Sequence, residues 1–82
     1  MVWDELDWND DNLLHATRHG VSADEIRQAL LDAVRARTQW QHGDELRLEL
    51  VGYTEGGRHV TVIAQRKGPN TLRPITAWEV DD

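Results

Sequence analysis

Three arginines on three successive predicted strands are the side chains of this chain best suited to bind an anion. Antiparallel neighbours can align Arg47, Arg58 and Arg73, and an arginine cluster is a natural receiver of a phosphate because each planar guanidinium donates paired hydrogen bonds. The alternative is that they are separate solvent-facing charges, as charged side chains on a sheet face usually are. The carboxylates available to pair with them in that case are Glu49, Glu55 and Glu79.

Two further features can extend such a face. Arg66 and Lys67, before Gly68, form a basic turn that can contact a phosphate backbone, although such turns are usually solvated hairpin tips. Trp78 can stack on a base or anchor a partner protein if it is exposed. If the N-terminal segment covers it, Trp78 is part of the core, and both interpretations stay open.

His15 and His19 lie four residues apart on a predicted helix, a spacing that can chelate zinc. The glutamate of the HExxH motif is missing beside them and no third ligand is evident, so we predict no metal ion and no other cofactor. His19 is better placed at the end of the helix, where a protonated imidazole interacts favourably with the helix dipole. The chain also lacks a glycine-rich phosphate loop, a nucleophile elbow and a Ser-His-Asp arrangement.

Two helices are predicted to precede the strands. The residues that can cap the first helix are Asp7, Asn9 and Asp10. This helix is predicted to run to about Arg18 and to stop at Gly20. Ser22 and Glu25 then form a capping box, which starts the second helix. The apolar residues that follow at helical spacing are Ile26, Ala29, Leu30, Ala33 and Val34.

After the second helix the hydrophobic period changes to two, which is typical of strands. Alternation over residues 46–51, 60–65 and 72–80 predicts three strands, joined by short turns at 55–57 and 67–70. In the first strand Leu46, Leu48 and Leu50 alternate with the residues of the other face. In the last strand, Ile75 and Ala77 are predicted on one face and Thr76 and Trp78 on the other.

Residues 35–40 are predicted as one further strand before these three. The order of elements predicts an α+β fold, with two N-terminal helices packed on one face of a three- to four-stranded antiparallel sheet. The other face is left open and carries charged and aromatic residues. At 82 residues, the chain is predicted to form a single domain, 1–82.

Composition excludes several classes of protein. The chain has no cysteine, which excludes disulfides and thiolate metal sites. No apolar run approaches the roughly 18 residues that a membrane span needs. The acidic N-terminus lacks the basic and apolar regions of a signal peptide. We therefore expect a soluble cytoplasmic protein with no membrane partner.

The net charge of −6 is distributed unevenly. Residues 1–12 carry five acids and no base, residues 79–82 carry three acids, and residues 13–78 hold nine basic against seven acidic side chains. The net negative charge of the whole chain argues against strong nonspecific binding of nucleic acid, but the net positive charge of residues 13–78 does not. One interpretation is that residues 1–12 fold over a basic face and screen it.

Short motifs in a fixed order resemble those of a known family. In the first half of the chain they are Trp8-Asn9, Asn12, the segment 15–22 and Glu25; in the second half they are Gly52-Tyr53-Thr54, Gly57-Arg58 and the segment 73–77. Their order and spacing, over nearly the whole chain, are similar to those of BrnT-like proteins. These proteins are small ribonuclease toxins of bacterial type II toxin–antitoxin pairs, with a RelE-like fold.

The resemblance implies an endoribonuclease in which the ribose 2′-OH attacks the adjacent phosphate without a metal ion. Cationic side chains stabilise the phosphorane while a nearby acid or base moves protons. On the matching positions, Arg58 and Arg73 would hold the phosphate. His19 would transfer protons, with His59 as the second candidate. The additional residues expected to bind the substrate are Arg47, Trp78, Arg66 and Lys67. The implied partners are a cognate antitoxin and an RNA substrate, and homo-oligomerisation stays open.

Two departures from the family pattern support a different interpretation. Trp78 stands where family members usually have an arginine, after isoleucine-threonine-alanine. The arginine-rich C-terminal helix that family members usually carry is lacking. Together with the acidic termini, these departures predict an attenuated toxin or, as the alternative, a non-catalytic protein-binding module on the same fold.

Overall fold

The computed structural model describes residues 5–33 and 36–80, and within them the chain forms two helices and five strands. The helices are α1 (Asp10–Thr17) and α2 (Ala23–Asp32). The strands are β1 (Glu5–Leu6), β2 (Thr38–His42), β3 (Glu45–Tyr53), β4 (His59–Arg66) and β5 (Thr71–Glu79). The sequence predictions also named residues outside the described part, which are Asp4, Val34, Arg35, Asp81 and Asp82.

The strands form one mixed sheet in the order β1-β5-β4-β3-β2. Neighbours from β2 to β5 are antiparallel, whereas Glu5 and Leu6 of β1 run parallel to Thr71 and Leu72 of β5. The α+β class is confirmed, but the prediction of a purely antiparallel sheet of three or four strands is wrong. Two residues are too few to show an alternating pattern, which is why β1 was not predicted. The predicted strand at 35–40 is β2, which begins at Thr38.

Both helices begin at the side chains that the sequence indicates. The Asn9 side chain accepts a hydrogen bond from the Asn12 amide at 3.0 Å, and the Asn12 side chain accepts one from the Asn9 amide at 2.6 Å. Ser22 and Glu25 form the predicted capping box, with two bonds of 3.1 Å. Gly20 adopts a φ of 85°, a left-handed conformation that glycine accommodates without strain and that separates the helices.

The core lies between α2 and the middle strands. Alternation places Leu48 and Leu50 of β3 beside Val62 of β4 under Ile26 and Leu30 of α2, and all five are buried. The helix α1 packs instead along β5. There the buried side-chain amide of Asn12 donates to the Pro74 carbonyl at 3.0 Å and to the Asp7 carbonyl at 2.9 Å. These bonds hold α1 against the part of β5 that follows the two residues paired with β1.

A bulge in β5 changes which side chains share a face. Ile63 lies opposite Thr76 but Ala64 lies opposite Pro74, so Ile75 is the extra residue of the strand. The prediction that Ile75 and Ala77 share a face is therefore wrong. Ala77 is buried in the core, whereas Ile75 lines a groove beside α1. Strict alternation fails here because a bulge adds one residue to one strand only.

Candidate functional site

A row of polar side chains crosses the face of the sheet opposite α2, which we call the open face. Arg47 on β3 lies opposite Gln65 on β4, and Gln65 lies opposite Arg73 on β5. Side chains directly opposite one another in antiparallel strands project to the same face. Since neighbouring strands are about 4.8 Å apart, the backbones of the two arginines lie roughly 10 Å apart. The register thus aligns two of the three arginines that the sequence singled out.

This row forms the floor of a groove of about 500 Å³ between α1 and the sheet. We call it the α1 groove, and its polar lining consists of Asp11, Asn12, His15, Glu45, Arg47, Gln65, Lys67 and Arg73. Three permanent cations and one imidazole therefore share the groove with two carboxylates and two amides. A cavity of this size lies in the range of small-ligand sites. Its cations and hydrogen-bond donors favour an anionic ligand.

The arginines of the α1 groove are held by carboxylates that a ligand can displace. Arg47 donates to one Glu45 carboxylate oxygen at 3.0 and 3.2 Å. Arg73 lies 3.6 Å from an Asp7 carboxylate oxygen. Both carboxylates are more than one third exposed, and ion pairs of that kind contribute only about 0–1 kcal/mol. A phosphate therefore competes for these guanidinium groups at little cost.

His15 is the histidine that lies beside the cations. It follows Asp11 by four residues on α1, and residues so spaced occupy one face of a helix. His19 lies beyond the end of α1, where it accepts a hydrogen bond from Arg18 at 3.2 Å. Among residues 5–33 and 36–80, no three His, Asp or Glu side chains are arranged to hold a metal ion. His15 is therefore the imidazole that lines the α1 groove within the described part of the chain.

Arg58 occupies a different part of the molecule and is surrounded by acceptors. Its guanidinium donates to both Glu25 carboxylate oxygens at 2.8 and 2.7 Å and to the Gly20 carbonyl at 3.3 Å. It also donates twice to one Glu79 oxygen, at 3.2 and 3.1 Å. Arg58 therefore joins the start of α2, the preceding loop and the end of β5. This arrangement favours a structural clamp over a phosphate receiver.

The clamp shifts the ionisation of its members. The Ser22 amide and the Arg58 guanidinium donate to Glu25, and these bonds lower the pKa of its carboxyl below the ordinary 4.5. Hydrogen bonds to Glu25 and then to Glu79 raise the pKa of Arg58. Because the pKa of Glu25 is lowered by folding, its contribution to stability is complete above pH 4.5 and is lost as the pH falls through the folded-state pKa.

We therefore expect Glu25→Gln to destabilise the protein at neutral pH and to lose this effect in acid. The amide keeps the shape of the side chain but removes the charge that attracts Arg58. The free energy of unfolding, from denaturant titrations between neutral pH and pH 3, measures the difference. Glu55→Gln, in the exposed turn after β3, is the matched control. A Glu25→Gln deficit that persists unchanged in acid would contradict the ionic clamp.

The four catalytic residues implied by the family resemblance do not meet in one place. Arg58 and His59 stand at the start of β4, and Arg58 contacts the loop that carries His19. Arg73 pairs with Gln65, six residues further along β4. At about 3.3 Å per residue this separates Arg73 from His59 by roughly 20 Å. Arg73 belongs with Arg47 and Lys67 instead.

The surroundings of His59 are aromatic. Its ring stacks on Tyr53, with centroids 4.4 Å apart and an angle of 11° between the planes. Its Nδ1 atom is buried and has no hydrogen-bond partner among the described residues. A nitrogen in this position cannot reach a ligand in the α1 groove, whereas His15 lines that groove.

The remaining predicted binding residues lie in three places: the α1 groove, the turn after β4 and the open face. Lys67 lines the groove, whereas Arg66 donates to the Gly68 carbonyl at 3.2 Å within the turn. Trp78 lies opposite Thr61 on the open face and is 38% exposed, so its interpretation as a core residue is wrong. Its exposed indole is available to a partner.

Six residues that line the groove were not among the predicted site residues: Asp11, Asn12, His15, Glu45, Gln65 and Ile75. The signal for Gln65 was the alternation of residues 60–65, which placed it on the same face as the charged residues. For Asp11 and His15 the signal was their spacing of four, beside the buried Asn12 and Ala16. The sequence does not specify the packing angle of α1, and it is this angle that turns the face with Asp11 and His15 toward β5.

Comparisons with protein-family models, with curated proteins and with solved structures give no significant match for this chain. In the described part of the chain, neither helix is long and apolar enough to cross a membrane. The cations and the imidazole of the α1 groove, and its position on the sheet, define the chemistry that this site can support.

Proposed function

We propose that this chain is a metal-independent endoribonuclease, the toxin of a bacterial toxin–antitoxin pair, with a BrnT-like sequence and a RelE-like fold. One observation carries the proposal: Arg47, Arg73, Lys67 and His15 line a single groove. Cations for a phosphate and an imidazole for a proton are the two requirements of RNA transesterification. The ordered sequence motifs support the same assignment.

In the proposed reaction, the scissile phosphate binds between Arg47 and Arg73, with Gln65 donating a further hydrogen bond. The ribose 2′-oxygen attacks phosphorus and gives its proton to His15. The bond from phosphorus to the 5′-oxygen breaks, and that oxygen takes up a proton from water. The products are a 2′,3′-cyclic phosphate and a free 5′-hydroxyl. The guanidinium groups stabilise the phosphorane because its negative charge exceeds that of the substrate.

The decisive experiment is cleavage of RNA by the purified protein in excess EDTA. We expect fragments that end in a 2′,3′-cyclic phosphate, and we expect induced expression in bacteria to arrest growth. A protein that neither cleaves RNA nor affects growth would refute the enzymatic proposal.

The proposed protein partner is a cognate antitoxin that covers the α1 groove, and co-expression with it should restore growth.

The acidic N-terminal segment is proposed to attenuate RNA binding, because Asp7 contacts Arg73 and Asp11 lines the groove. Deleting residues 1–12 would also remove β1 and the Asn9 cap, so a single substitution is the better test. We expect Asp7→Asn to raise the affinity for RNA by about two- to fivefold at low salt, the effect of one exposed ion pair. The gain should shrink at high salt because the charges are screened.

Asp10→Asn is the matched control for this prediction. Asp10 lies in the first turn of α1 but does not line the groove. Fluorescence anisotropy measures affinity without turnover when the labelled oligoribonucleotide carries a 2′-deoxy substitution at the cleavage site. Equal affinities of Asp7→Asn and Asp10→Asn at every salt concentration would show that Asp7 does not screen the groove.

A second candidate function is a non-catalytic protein-binding module. The observation that favours it is that two aromatic side chains of the open face are exposed, Trp78 at 38% and Tyr53 at 55%, where they can contact a protein partner. This candidate predicts that Trp78→Ala lowers the affinity for the antitoxin at least tenfold, a typical effect for a central tryptophan. Titration calorimetry checks this, with Trp40→Ala on β2 as the control. RNA cleavage together with unchanged antitoxin binding by Trp78→Ala would exclude the module.

A further inference from the structure

The outer edge of β2 lacks the features that normally keep sheet edges unpaired. β2 is the last strand in the sheet order, and all five of its residues are exposed. Its sequence, Thr38 to His42, contains no Asp, Glu, Lys, Arg or Pro. It pairs with β3 in unbroken register along its whole length, with no bulge to twist the edge away. Charges, prolines and bulges are the usual means of blocking edge-to-edge pairing.

The opposite edge of the sheet cannot serve as the matching surface. There β1 offers only Glu5 and Leu6, and it runs parallel to β5. A head-to-tail contact between β1 and β2 of two copies would pair two residues at most. Two copies of β2 can pair all five residues about a twofold axis, which gives a closed dimer and leaves neither β2 edge unpaired.

We propose that β2 pairs antiparallel with β2 of a second copy, with Trp40 opposite Trp40 on the twofold axis. Gln39 then lies opposite Gln41, and Thr38 opposite His42. The chain carries a net charge of −6, and this pairing places no acid opposite an acid. Trp40, which is 36% exposed in the single chain, gains an aromatic partner across the strands. The uncharged edge of β2 and the aromatic pairing of Trp40 therefore favour a second copy as the occupant of this edge.

The dimer joins the two sheets into one of ten strands. The twofold axis of an antiparallel strand pair is perpendicular to the sheet, so both open faces lie on the same side. Trp40 also lies opposite Arg47, so the polar row of each copy continues into the other. The two Arg47 residues are three strand spacings apart, roughly 14 Å. This association is independent of the proposed catalysis, but it would place two anion-binding rows on one surface.

Five paired residues bury less than the roughly 1,200 Å² of a typical stable interface, so the dimer should depend on concentration. Sedimentation equilibrium of the full chain, from micromolar to near-millimolar concentration, should show a monomer–dimer equilibrium. Trp40→Lys should abolish it because two ammonium groups would face each other on the axis. Trp78→Lys, at a similarly exposed tryptophan of the open face, should leave the dissociation constant within twofold. A monomer at all concentrations, or a dimer that Trp40→Lys leaves intact, would overturn the proposal.

Cross-linking provides a second test that does not depend on disrupting the dimer. The chain has no cysteine, so a single introduced one reports on a single position. Cα atoms of opposite residues in antiparallel strands lie about 4.5–5.5 Å apart, within the range of a disulfide. Trp40→Cys should therefore form a disulfide-linked dimer under mild oxidation at least tenfold faster than Trp78→Cys. Equal rates for the two variants would refute the pairing, and thermal melts of each variant establish that both are folded.

Discussion

Replacing Gly52 by alanine is expected to destabilise this protein more than any other single methyl addition to β3. Gly52 lies on the core side of β3, where the backbone of α2 approaches most closely. A methyl carbon at this position would overlap the Ala29 carbonyl oxygen and lie 2.9 Å from the Ala29 carbonyl carbon. A backbone group cannot rotate away as a side chain can, so α2 must move off the sheet and open the core that contains Ile26 and Leu30.

We expect Gly52→Ala to lower the free energy of unfolding by about 3 kcal/mol, the upper part of the range for overpacking. For a domain of this size that corresponds to a fall in Tm of roughly 12–24 °C. Gly56→Ala is the matched control, because its methyl would meet only the Thr54 hydroxyl, at 3.8 Å. Differential scanning calorimetry of both variants measures the effect. Similar melting temperatures would show that α2 does not contact β3 at Gly52.

Local rules predicted the elements of the fold well. Asn9, Ser22 and Glu25 cap the helices as their types indicate, because capping depends on residues three apart in the chain. Alternation in β3 and β4 placed Leu48 and Val62 in the core. Prediction failed where a feature depends on distant residues. The pairing of β1 with β5 and the bulge at Ile75 are both set by partners more than ten residues away.

The candidate site shows the same division between local and distant information. The face that carries Arg47 follows from the period of two, whereas Arg73 reaches the same face only because the bulge at Ile75 interrupts the alternation of β5. The separation of Arg58 from Arg73 follows from register, because Arg58 precedes β4 whereas Arg73 pairs near the other end of that strand. The acceptors around Arg58 come from two other elements, through Glu25 and Glu79. Spacing along the chain contains no information about either.

The largest effect on activity is expected from Arg73→Ala. This substitution removes one of the two guanidinium groups of the α1 groove, and losing one preorganised donor to a developing oxyanion typically slows turnover by about 10²–10³-fold. We expect kcat of RNA cleavage to fall by that amount with little change in Tm, since Arg73 makes one exposed ion pair, to Asp7. Arg73→Lys should recover only part of the loss, because an ammonium group cannot donate two parallel bonds to one phosphate.

Two other arginines make this result specific. Arg27 on α2 lies outside the α1 groove, so Arg27→Ala should leave kcat unchanged and controls for the loss of one positive charge. Arg58→Ala removes the clamp, and it should lower Tm yet retain most of the cleavage rate at a temperature where the variant is folded. The opposite pattern, with folded Arg58→Ala inactive and Arg73→Ala fully active, would place the catalytic site at the start of β4 and exclude the α1 groove. His15→Ala completes the comparison, because loss of the proposed proton-transfer group should lower kcat while Tm stays close to that of the unsubstituted protein.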